Sequence, residues 1–447
     1  MVPAAASAER PPAVDDTYLP PAATPNPPEA TEKEADCNVV EFDPRLVAGN
    51  SQLSGIDLPA LWALSTGAGQ TVAVIDTGVS PHPQLPRLVG GGDYVFTGDG
   101  REDCDGHGTL VAGIIAATTD PDAKTRFAGI APGVSLITIR QTSVYYGPVG
   151  AEKSGMGTVD TMAMAVRTAA DLGATVINIS SVACTSAAGL RDRALGAAVA
   201  YAVDVKDAVI VVSAGNVGPG GQCPQQNPTS SPRPNEPDWA TAAVAVSPGW
   251  YDDYVLTVGS VGIDGAPSSF SLAGPWVDVA GPGEAVVSLD PRHSGVVNKN
   301  RNANGAAIMG TSYAAPVVSG LAALVRSRFP KLSARQVMQR IEATAHRSTG
   351  GWNPMVGNGI VDLQAALSED PAVPRTPPPM PTKRPVAPPV PPAPTDSGGR
   401  STAFTGVAGC AAVLAGALAL LAPVNRLALR RGRDNPAPVA GDAVVSD

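Results

Sequence analysis

Three residues that together could carry out acyl transfer through a serine stand far apart in the 447-residue chain: Asp76, His107 and Ser312. A serine hydroxyl is a weak nucleophile near neutral pH and needs a base within reach and an acid that orients the base. Ser312 alone carries no such meaning, because serine at a helix start is ordinarily a cap. Of the four histidines, His82 is hemmed by prolines in SPHPQL, His293 sits in a polar loop, and His346 falls near the end of an amphipathic helix, where it is expected to cap carbonyls. These three read as structural or solvated. His107 differs: CDGHGTLVAG opens a helix with the histidine between glycines, which let a substrate or another backbone approach closely. Asp76 ends the apolar run TVAVID, where a buried carboxylate is costly unless hydrogen-bonded. A carboxylate there can accept the Nδ1–H of a histidine, fix its tautomer and stabilise the imidazolium formed when the serine loses its proton.

The elements that must position these groups alternate. The runs 71–76, 135–140, 175–180, 208–215 and 255–261 are short, rich in Val and Ile and nearly continuous in apolarity, as strands buried on both faces are. Helical patterns fall between them at 108–117, 158–172 and 189–206. That order predicts an α/β fold, a parallel sheet covered by helices on both sides, with function at the C-terminal ends of the strands. A formal charge of −9 and a pI near 5.0, with no dense Lys/Arg stripe before the extreme C-terminus, exclude a nucleic-acid binder.

The order Asp, His, Ser is that of subtilisin. VAVIDTGV, DGHGTLVAGIIA, VVSAGN and MGTSYAAPVVSG resemble the Asp, His, oxyanion-Asn and Ser motifs of the subtilase family, and the likeness runs from about Leu58 to Leu367. The resemblance implies a subtilisin-like fold and serine endopeptidase activity on protein or peptide substrates. It casts Asp76 as orienting acid, His107 as general base then acid, Ser312 as nucleophile, and Asn216 with the Ser312 N–H as the oxyanion hole. Two positions depart from the family pattern. Leu110 stands where many members have a second histidine with no required chemical part. Ser180-Ser181-Val182 stands where members commonly offer glycines lining the first specificity pocket, so Val182 is expected to narrow the entrance and favour a small residue before the scissile bond.

Outside the body the chain changes character. Residues 403–422 form an uncharged stretch of 20 residues, enough at about 1.5 Å per residue to cross a bilayer core of about 30 Å. Arg426, Arg430, Arg431 and Arg433 follow it, so the positive-inside rule places the C-terminus in the cytoplasm and the body outside. The expected organisation is a signal-peptide remnant (1–8), an N-terminal extension wrapping the catalytic domain (9–57), a peptidase domain (58–368), a proline-rich extended spacer (369–401), a membrane helix (402–423) and a short cytoplasmic tail (424–447). Cys410 lies in the membrane helix, and the other four cysteines sit in an oxidising compartment. Cys184 and Cys223 each follow a strand and should emerge at one sheet edge, whereas Cys104 can pin the N-terminal arm. The expected pairs are therefore Cys37–Cys104 and Cys184–Cys223. No cofactor or metal is expected. Structural calcium stays open, its one candidate being the acidic run DGREDCDG (99–106), which reads as a solvated loop.

This whole arrangement resembles the mycosins, membrane-anchored subtilases of type VII (ESX) secretion systems. That likeness implies an envelope protease that trims secreted substrates and associates with subunits of the secretion membrane complex. The alternative reading is a mainly structural component of that complex with secondary proteolytic activity.

Overall fold

In the computed structural model the described residues are 10–47, 51–120, 125–151, 155–186, 189–230, 236–300, 305–347 and 351–369. The sequence-based readings of residues 1–8, of the spacer beyond Glu369, of the membrane helix and of the tail lie outside them. Among the described residues no helix is long and apolar enough to cross a membrane.

The apolar runs form the centre of a seven-stranded, wholly parallel sheet: β1 (Thr71–Asp76), β2 (Leu88–Asp93), β3 (Ser135–Arg140), β4 (Val176–Ile179), β5 (Val209–Ser213), β6 (Leu256–Val261) and β7 (Val279–Pro282). Their order is β7-β6-β5-β4-β1-β3-β2. Seven helices accompany them among the described residues: α1 (Leu58–Leu64), α2 (His107–Ala116), α3 (Val159–Asp171), α4 (Arg193–Asp204), α5 (Thr311–Arg328), α6 (Ala334–Thr344) and α7 (Leu363–Ala366). Helix α2 packs on α5 and α3 on α4, and both pairs pack on the sheet. Strands covered on two faces need no polar alternation, which is why Val72 to Ile75 and Val209 to Val212 are fully buried. Each Val or Ile among them contributes about 1.5–3 kcal/mol by leaving water.

Helix starts separate structural from functional ends. α3 and α6 open with capping boxes, Thr158 with Thr161 and Ser333 with Gln336. α2 and α5 open on Gly106 and Gly310 with no cap from the N-cap residue itself; side chains from other segments take their first amides instead, Thr77 that of Gly108 and Asn216 that of Thr311.

The N-terminal arm is more ordered than an extended arm. Thr31–Lys33 pairs antiparallel with Tyr146–Pro148, and Val40–Glu41 pairs with Lys299–Asn300, which in turn pairs with Ala306–Ala307. Cys37 is bonded to Cys104, and Cys184 to Cys223. Edge strands β2 and β7 lie outside the expected set. Glycines fill half of LVGGGD and both glycine and proline occupy VAGP, a composition that hides a strand having only one neighbour.

Candidate active site

β1 places Asp76 at its C-terminal end, flanked by β3 on one side and β4 on the other. His107 is the first residue of α2, and its Nδ1 lies 2.7 Å from Asp76 Oδ1. The same oxygen accepts the Thr77 N–H at 2.8 Å, while Oδ2 is buried with no partner among the described residues. An imidazolium at His107 is therefore the main counter-charge available to this carboxylate. The ring of Tyr313 lies 5.1 Å from that of His107 and walls it from one side.

Ser312 is not a cap. It sits in the first turn of α5, 7% exposed, with its backbone carbonyl freed by a proline. Pro316 has no N–H, so the helix bond that would end on the Ser312 carbonyl is missing. The Ser180 hydroxyl takes its place, donating to that carbonyl at 2.8 Å, and Asn178 Nδ2 donates to Ser180 Oγ at 2.9 Å. Ser319 Oγ donates to Asn178 Oδ1 at 2.8 Å. A chain of polar contacts from the end of β4 thus fixes where the turn bearing Ser312 lies.

Asn216 follows β5. Its Oδ1 accepts both the Thr311 N–H (3.0 Å) and the Thr311 hydroxyl (3.1 Å), which turns Nδ2 away from the helix. Thr311 Oγ1 also accepts the Gly215 N–H at 3.2 Å. A Cβ at Gly310 would lie 3.0 Å from Ser312 Oγ and 3.6 Å from Asn216 Nδ2. Glycine there leaves open the space between the hydroxyl and the amide, where a carbonyl would be attacked and its oxygen held.

Asp103 ties the Asp76 turn to the His107 helix. Its Oδ1 accepts from Thr77 Oγ1 (2.8 Å) and the Gly106 N–H (2.7 Å), and its Oδ2 from the Thr109 N–H (2.8 Å) and hydroxyl (2.7 Å). Thr77 Oγ1 accepts the Gly108 N–H at 2.9 Å. Asp105 accepts from Ser143 Oγ and the Val144 N–H. The acidic run is therefore not a solvated loop throughout: Asp103 and Asp105 are buried because backbone and hydroxyl donors replace their water. Burial pushes Asp103 up to about 7 against the pull of its donors, and pushes Asp105 up as well. Burial also opposes charge on His107, but the charge and hydrogen bond of Asp76, followed by the charges of Asp103 and Asp105, outweigh it and hold the imidazole above its ordinary 6.5. Among the described residues no group of three or more His, Cys, Asp or Glu side chains is arranged to hold a metal ion.

His107, Ser312 and Asn216 line one groove of about 650 Å³, and Ser180, Ser181 and Val182 form part of its wall. Beneath Gly215 lies the Cys184–Cys223 bridge: a Cβ on that glycine would meet Cys223 Sγ at 2.8 Å and Cys184 Sγ at 3.1 Å. The other histidines sit apart. His82 is buried with the Gln84 N–H 3.1 Å from its Nδ1, and exposed His293 lies 3.3 Å from Asp290. His346 does not cap α6, which ends at Thr344. Its backbone bridges to Ile360 and its Nε2 lies 2.9 Å from Asp362 Oδ2, because the chain leaves the helix in an extended conformation.

The Subtilase family model matches residues 67–359. The chain belongs to that family. Within it, the chain is a mycosin-type serine endopeptidase by similarity across nearly its whole length. Mycosin-4 of Mycobacterium tuberculosis is 55% identical, over 98% of this chain and 94% of its own. Among solved structures, MycP1 from Mycobacterium smegmatis superposes with a TM-score of 0.75 at 42% identity, covering 82% of this chain and 97% of its own. A chain of an intact ESX-5 inner membrane complex does so with a TM-score of 0.74 at 42% identity, over 92% of this chain and 99% of its own. Thr311, Asp103, Thr77 and Thr109 are site residues that motif reading passed over, although three of the four stand within three residues of a triad member.

Proposed function

We propose that the chain is a membrane-anchored, extracytoplasmic subtilase that processes secreted protein substrates and works in association with a type VII secretion membrane complex. The observation that carries the catalytic part is the 2.7 Å Asp76–His107 contact beside an uncapped helix that presents Ser312 next to the Asn216 amide. In this reading His107 Nε2 takes the Ser312 proton as Oγ attacks the substrate carbonyl. Asn216 Nδ2 and the Ser312 N–H hold the oxyanion, aided by the partial positive charge of the α5 start. His107 then gives its proton to the leaving amine, and a water activated by the same base hydrolyses the acyl-enzyme. Val182 narrows the acyl side of the groove, which favours Ala, Gly or Ser before the scissile bond. Association with secretion subunits is supported by the likeness to a chain of the ESX-5 inner membrane complex, and the anchor by the apolar stretch 403–422.

Fluorophosphonate labelling tests the nucleophile directly: wild type is expected to be labelled and Ser312→Ala not. Ser312→Ala is further expected to abolish peptide cleavage while secretion continues, whereas removing residues 403–447 stops secretion while the freed domain still cleaves. If Ser312→Ala blocks secretion as completely as the truncation, proteolysis is the whole function and the assembly role fails.

A further inference from the structure

We infer that the N-terminal arm, through Asn38 and Val40, forms one wall of the subsite that receives the leaving half of the substrate, and that this subsite selects an apolar residue just after the scissile bond. The inference rests on the endopeptidase reading above. A second cavity, of about 390 Å³, adjoins the groove at His107, Asn216 and Tyr313 and does not reach Ser180–Val182. The leaving amine must take its proton from His107, so a cavity bordered by that ring and remote from the acyl-side wall is where the leaving half goes. Its volume falls within the usual range for a ligand site, about 300–1,000 Å³.

The lining is mostly apolar: Val40 from the arm faces the same space as Val217, Phe270, Ile308 and Met309. The arm cannot swing away easily. Cys37 is bonded to Cys104, Asn38 N–H donates to the Cys104 carbonyl, and Asn38 Nδ2 donates to the Asp105 carbonyl at 2.9 Å, two residues before His107. Val40 itself is 6% exposed and belongs to a strand paired with Lys299–Asn300. A segment that sequence alone places before the peptidase domain is thus fixed within reach of the catalytic centre at both ends of its contact. The lining is mostly apolar, its polar members being Asn38, Asp105, Asn216 and Asn300 beside His107 and Tyr313, so it favours an uncharged aliphatic or aromatic side chain over a carboxylate, which would lose its water there.

The test uses the full chain and internally quenched peptides that share one acyl half ending in Ala and differ only in the first residue of the leaving half: Leu, Phe, Gly, Asp or Lys. An ester with the same acyl half and a methanol leaving group is run alongside. Wild type is expected to cleave the Leu and Phe peptides at least about tenfold faster, in kcat/KM, than the Asp peptide. Val40→Ala and Met309→Ala are each expected to reduce the Leu-to-Gly ratio about threefold or more. Met309 is 49% exposed, so its variant tests the same wall where core packing is not disturbed. Reading ratios within one variant removes any general loss of folded enzyme. A flat wild-type profile, a preference for Asp, or unchanged ratios in both variants would overturn the subsite. Failure of wild type to hydrolyse even the ester would instead sink the endopeptidase reading on which it rests.

Discussion

Thr311→Val removes one hydroxyl and almost no volume, and it isolates what holds the Asn216 amide. Two bonds fix that amide now, from the Thr311 N–H at 3.0 Å and from the Thr311 hydroxyl at 3.1 Å. Valine keeps the first and deletes the second. A neutral hydrogen bond of this kind is worth about 1 kcal/mol net, which corresponds to about fivefold in rate if it is felt only when charge develops on the oxyanion. Removing the Asn216 donor outright is expected to cost about 10²–10³ in turnover, a magnitude known for subtilisin rather than worked from this chain. Thr311→Val should therefore lower kcat about five- to tenfold with little change in KM. The Thr311→Val, Asn216→Ala double variant should be no slower than Asn216→Ala alone, because there is then no amide left to aim. The Gly215 N–H loses its acceptor as well, so the variant should also unfold more easily by about 1–3 kcal/mol, measured separately by denaturant titration. Steady-state kinetics on all four members of the cycle decide the matter. Full additivity of the two losses in kcat would refute the positioning role and leave Thr311 as a packing residue.

The base must be neutral to accept a proton and its pKa is raised, so turnover should fall as pH drops through a value above 6.5; Asp105→Asn deletes one of the charges that raise it and should move that acid limb to lower pH, and an unmoved limb would contradict the coupling. Val182→Gly should open the acyl side of the groove and raise the Phe-to-Ala ratio before the scissile bond about tenfold in a peptide-library profile, with no change counting against Val182 as the gate. Replacing Cys184 and Cys223 together by serine should lower kcat about tenfold while fluorophosphonate labelling persists, since the bridge backs Gly215 next to Asn216; unaltered kcat in a folded variant would mean that the loop is held by other contacts.

The grouping of Asp76, His107 and Ser312 was legible because each sits in a short motif where strand ends and helix starts meet. The central strands were legible for a related reason: burial on both faces writes itself as unbroken Val and Ile. What escaped has a common cause in long-range partnership. Thr31–Lys33 and Val40–Glu41 are strands of three and two residues whose partners lie far along the chain, so nothing local marks them. Asp103 belongs to a run whose charge density reads as exposure, and only the folded neighbourhood supplies the four donors that bury it. Ser180 reads as a pocket residue from its place after β4. It does line the groove, and its hydroxyl also answers a vacancy made by Pro316, a pairing that two separate stretches of sequence do not announce.

Helix α5 lies against β1, β4, β5, β6 and β7 and against α2, so the element bearing Ser312 is also the one that closes the core. It comes late in chain order, after every strand of the sheet. In a polypeptide delivered N-terminus first, Asp76 and His107 arrive long before it, and until α5 docks neither has a hydroxyl to act on. On the proposed mechanism, competence to cut is therefore coupled to docking of α5: the same event that seals the interior brings the Ser312 hydroxyl to its base.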